Sequence, residues 1–86
     1  MAKWSNVGIV IDGQAIRVGG INPWQHEWHA TDQPDIELPH PSYPNQCHRM
    51  SIYEISHETK KIVFAAGELS ASVWGFYVPD DHNNGT

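Results

Sequence analysis

Six histidines, at positions 26, 29, 40, 48, 57 and 82, are the residues of this chain best suited to chemistry, together with one cysteine, Cys47. Neutral imidazole is a common metal ligand, and on a helix His26 and His29 would share a neighbouring face able to hold one ion. The run His26-Glu27-Trp28-His29 sets its histidines three apart, whereas the zinc-protease signature H-E-x-x-H needs them four apart. A zinc site would have to take a further donor from His40, Cys47 or His48. Cys47 adjoins His48, and an imidazolium lowers the pKa of a thiol beside it. Neighbours on a strand point to opposite faces, however, so adjacency alone makes no dyad. Glu37, Glu54 and Glu68 have no spacing that identifies an acid/base pair, because such pairs are assembled in space.

The sequence contains no glycine-rich phosphate loop, no G-x-S-x-G, no zinc-type cysteine pair and no EF-hand loop. It is instead rich in rings for 86 residues, with four tryptophans and three tyrosines. Rings with a polar handle favour interfaces, and Trp24, Trp28 and Tyr43 are read as an interaction patch. Trp74 and Phe76 are assigned to the core. Pro41-Ser42-Tyr43-Pro44 has the P-x-x-P spacing of an extended ligand, but reads first as a conformationally fixed loop.

Ten carboxylates against five Lys and Arg give a formal charge of −5. The cations, Lys3, Arg17, Arg49, Lys60 and Lys61, are scattered, so the clustered footprint that neutralises phosphates is missing. Nucleic acid and membrane surfaces are therefore not the expected partners. Protonating all six histidines would carry the formal charge from −5 to −5 + 6 = +1. One cysteine cannot build an internal disulfide framework. No apolar h-region follows Lys3, and no apolar run approaches the ~18 residues of a membrane span. These features lead to the expectation of a cytoplasmic protein.

The elements that must position these side chains are strands. Arg49 to Pro79 carries the sustained apolar pattern. Within it Met50 to Ser56, Lys61 to Ala66 and Ser72 to Val78 read as strands, the first two joined through His57-Glu58-Thr59-Lys60. Ile62, Phe64 and Ala66 alternate with Val63 and Ala65, and Trp74, Phe76 and Val78 with Val73 and Tyr77. Both faces are apolar, which marks central strands. Gly67 is expected to interrupt the run, and a helix over Glu68 to Phe76 is the alternative reading there. Upstream, Val7 to Ile11 and Ala15 to Ile21 are expected to form a hairpin through Asp12-Gly13. Asn22 to Thr31 fits either a short helix, with Asn22 as cap and Pro23 at its first position, or an extended segment; the extended reading is preferred. Four prolines at 34, 39, 41 and 44 make 32–46 an ordered loop rather than a helix.

The expected protein is thus a single, mainly β domain over residues 1–79. Its architecture is a small antiparallel barrel, roll or sandwich of five to six strands, with a short helix near 22–30 as the variant. Residues 80–86 are a frayed tail. A chain of this length buries only about 60–65% of the surface its unfolded form exposes, leaving little room for an enclosed active site. The function expected is a small non-enzymatic binding or protein-interaction module, without cofactor, acting on a protein partner or on itself. The alternative is a metal-binding protein or small metal-dependent enzyme, with zinc held by His26, His29, His40, His48 or Cys47.

Overall fold

The computed structural model describes residues 4–79. The expected frayed tail at 80–86 lies outside the described residues. Six antiparallel strands follow in chain order: β1 (Trp4–Ile11), β2 (His29–Ala30), β3 (Ile36–Pro39), β4 (Cys47–His57), β5 (Lys60–Ser70) and β6 (Val73–Pro79). The sheet runs β1-β6-β5-β4-β2, with β3 also paired to β4, and it does not close into a barrel. A single 3₁₀ turn, Pro23–Gln25, is the only helical element among the described residues.

The doubly apolar strands take the central places. β5 lies between β4 and β6, and β6 between β5 and β1. Cross-strand pairs sort their side chains onto two faces: Ala66 opposite Phe76 and Tyr53 opposite Phe64 on one, Ala65 opposite Tyr77 and Ile52 opposite Ala65 on the other. Each face carries its own core. The first holds Val10, Val18, Ile55, Phe64, Ala66 and Phe76; the second holds Met50, Ile52, Ala65 and Tyr77. A two-sided sheet this small needs something laid over both faces. The 12–28 segment supplies Ile16, Val18, Ile21, Trp24 and Trp28 to the first core, and β3 supplies Ile36 and Leu38 to the second. The Tyr77 hydroxyl ties β6 to β3 by donating to the Pro39 carbonyl (2.9 Å).

Three local expectations change. Ala15 to Ile21 does not pair with β1. The Asp12-Gly13 turn forms, with the Gln14 N–H donating to the Ile11 carbonyl (2.8 Å), but β1 pairs with β6 along its length. The β6 strand offers seven residues apolar on both sides. The competing segment ends in Gly19 and Gly20, both at positive φ (62° and 90°), and is better used as a cover, with Val18 only 1% exposed. Gly67 does not end β5, which runs on to Ser70. A Cβ there would stand 2.6 Å from Met50 Sδ and 2.7 Å from the Arg49 carbonyl oxygen, so at this glycine the backbones of β4 and β5 approach closely. The proline-rich loop contains β3, whose residues Ile36 to Pro39 pair with Met50 to Cys47. A proline at the end of an edge strand removes no ladder donor that the sheet needs.

The ambiguous 22–30 segment resolves into both readings in sequence. Asn22 Oδ1 accepts from Trp24 N–H (3.0 Å) and caps the 3₁₀ turn, with Pro23 at its start. The chain then extends, and β2 pairs His29 with Glu54 and Ala30 with Tyr53.

Candidate functional site

The aromatic patch read from the sequence is divided by the fold. Trp24 and Trp28 are half-buried and face each other with ring centroids 5.3 Å apart. Trp24 meets Phe76 edge-on at 5.5 Å, and Trp28 meets Phe64 edge-on at 5.1 Å and Trp74 at 6.0 Å. Edge-to-face contacts at these separations are favourable ring packing. Trp28 Nε1–H donates to the Pro23 carbonyl (2.7 Å), which locks the ring over the sheet. These two side chains form the wall of the first core. Tyr43, by contrast, is 60% exposed in the β3–β4 loop, where its ring packs on His40 at 4.9 Å.

The histidines come together in pairs. His26 lies edge-on to His57 at 5.1 Å, and His57 Nε2 is 3.9 Å from a carboxylate oxygen of Glu58. His40 and His48 lie 5.8 Å apart between ring centroids. His40 Nδ1 accepts backbone N–H groups from Ser42 (3.0 Å) and Tyr43 (3.3 Å), which shapes the loop. His29 sits on β2 opposite Glu54, and Cys47 is exposed on β4 opposite Pro39. Among the described residues no three His, Cys, Asp or Glu side chains converge in a way that could hold a metal ion. His26 and His29 are separated because the turn ends at Gln25, so the helical face that would have aligned them does not exist.

The feature that sequence patterning did not single out is the sheet edge formed by β1. Trp4 to Ile11, WSNVGIVI, contains no charged residue. Val7, Ile9 and Ile11 are 39%, 39% and 60% exposed, and with Tyr43 they are the exposed large hydrophobic residues of the described chain. The register explains part of this. Ile9 stands opposite Gly75, which offers no side chain beside it, and Ile11 opposite Val73. A bulge between Asn6 and Gly8 leaves Val7 outside the regular pairing, and Asn6 Nδ2 stitches it by donating to the carbonyls of Gly8 (3.3 Å) and Phe76 (3.2 Å). Ile11 N–H donates to Gln14 Oε1 (3.0 Å) while its carbonyl accepts from Gln14 N–H, so its backbone groups point away from β6. Alternation along an antiparallel strand turns those of Ile9 the same way, away from β6.

The opposite edge is guarded. β2 has only two residues, and β3 has four, ending in Pro39 and including Glu37. Short length, proline and charge are the usual protections against edge pairing. β1 has a bulge at one end and the Gln14 cap at the other, with no charge between them.

Comparison with protein-family models, with curated proteins and with solved structures finds no match to the chain. Among the described residues, no helix is long and apolar enough to cross a membrane.

Proposed function

We propose that the protein is a small non-enzymatic interaction module that associates with a second copy of itself through the edge of β1. The observation that carries this reading is the uncharged outer edge of β1, with Val7, Ile9 and Ile11 exposed along it. Antiparallel pairing about a two-fold axis at Ile9 would set Ile11 of each copy opposite Val7 of the other, burying apolar groups that water now covers. A strand without charges can be placed against itself without like-charge repulsion, even in a chain of −5. The bulge and the Gln14 cap limit the flat stretch to a few residues, and two-fold closure consumes both edges, which favours a weak, discrete dimer over a fibre.

In this reading the protein is cytoplasmic, with its single thiol, Cys47, free and exposed, and it needs no cofactor. Its acidity turns it away from nucleic acid and from anionic membrane surfaces. Tyr43 is the member of the sequence-read aromatic patch that remains free to add contact area.

Sedimentation velocity tests the proposal. The wild-type chain is expected to pass from monomer to dimer between about 1 µM and about 1 mM, the range of modest association energies. Ile9→Lys, which places a charge on the edge, is expected to stay monomeric with an unchanged far-UV circular dichroism spectrum. A wild-type chain that remains monomeric throughout that range would sink the reading.

A further inference from the structure

A cleft of about 510 Å³ opens beside the 15–26 segment. We infer that it is a binding site for a small oxyanion, a carboxylate or a phosphate, carried on a short apolar body. The volume lies within the range of ordinary small-ligand pockets, roughly 300–1,000 Å³. Its polar lining comes from Arg17, Asn22, Gln25 and His26, and its apolar lining includes Ile16 and Ile21. Although the chain has twice as many carboxylates as Lys and Arg, no Asp or Glu among the described residues lines the cleft. Glu58 reaches His57, which packs edge-on against His26.

The polar groups are held with their donors available. Arg17 Nη1 donates to the Gly20 carbonyl (3.1 Å), which fixes the guanidinium while its other N–H groups remain for a ligand. Asn22 spends its Oδ1 on the Trp24 N–H, so its free end is the NH₂ donor. The backbone under them is tied down by hydrogen bonds and packing. Val18 and Ile21 exchange hydrogen bonds (2.8 and 3.2 Å) across the Gly19-Gly20 turn, and Val18 and Pro23 are buried. A Cβ on Gly19 would come within 2.8 Å of Ile62 Cγ2, so this turn is pressed directly onto β5. A preformed cluster of donors with one fixed guanidinium recognises an oxyanion through charge-assisted hydrogen bonds.

The test is a ¹H–¹⁵N NMR titration of the intact chain with inorganic phosphate, repeated with butyrate, against sodium chloride at equal ionic strength. Saturable shifts confined to amides of residues 15–26 are expected, with dissociation constants of about 1–10 mM. Arg17→Gln is expected to weaken binding at least about tenfold, because an exposed amide replaces the charged fork. Gln25→Ala, which leaves the Arg17–Gly20 contact alone, is expected to weaken it less. Shifts that chloride reproduces, titrations that do not saturate with either oxyanion, or wild-type affinity in both variants would overturn the assignment.

Discussion

Trp24 Nε1, Trp74 Nε1 and His48 Nε2 are buried and have no hydrogen-bond partner among the described residues, whereas Trp28 Nε1 has the Pro23 carbonyl at 2.7 Å. An unmade buried hydrogen bond costs about 1–3 kcal/mol, and a made one contributes about 1 kcal/mol. Replacing tryptophan by phenylalanine removes the N–H together with similar ring volume at either site. Trp28→Phe should therefore lower stability by about 2–4 kcal/mol more than Trp74→Phe, measured by urea denaturation. Tyr77 offers a second contrast at this scale. Burial pushes its phenol above the ordinary value of 10.0, with the Asn6 side chain opposing part of the rise. A phenol whose pKa is raised on folding contributes stability that is full below the unfolded pKa and is lost as pH rises through the folded one. The melting temperature should fall above pH 10 and fall less steeply in Tyr77→Phe. At neutral pH that variant should lose about 1 kcal/mol with the bond to Pro39.

At the level of elements, β5 is the strand on which both cores depend, and Gly67 is its tightest point. A methyl group there must displace Met50 Sδ and the Arg49 carbonyl, which belong to the neighbouring strand β4. Gly67→Ala should destabilise by about 1–3 kcal/mol, the usual range for overpacking, in the same denaturation assay. From the sequence, Gly67 looks like a break, since a glycine that ends a strand and one that lets another backbone approach are locally indistinguishable. The β1 partner was hidden for a related reason. Asp12-Gly13 makes a turn in either topology, and only the competition between Ala15 to Ile21 and β6 decides what lies beside β1. The central parts of β4, β5 and β6 were legible, as Met50 to Ser56, Lys61 to Ala66 and Ser72 to Val78, because β-branched and aromatic residues recur there and the last two runs are apolar on both faces.

For the whole molecule, self-association through β1 links folding to concentration. Binding that occurs only in the native state raises apparent stability by mass action, so the wild-type melting temperature should increase from micromolar to near-millimolar protein. Ile9→Lys should melt at a temperature independent of concentration. Composition and patterning by themselves determined a mainly β protein with doubly apolar central strands, an acidic composition and no recognisable catalytic motif, because those properties depend on residue type and period. Tertiary structure alone decided that Trp24 and Trp28 wall the core, that the histidines meet as pairs 26–57 and 40–48, and that β1 is an edge strand among the described residues. Each of these is set by which distant segment arrives alongside, and the alternation within one strand carries no record of its neighbour.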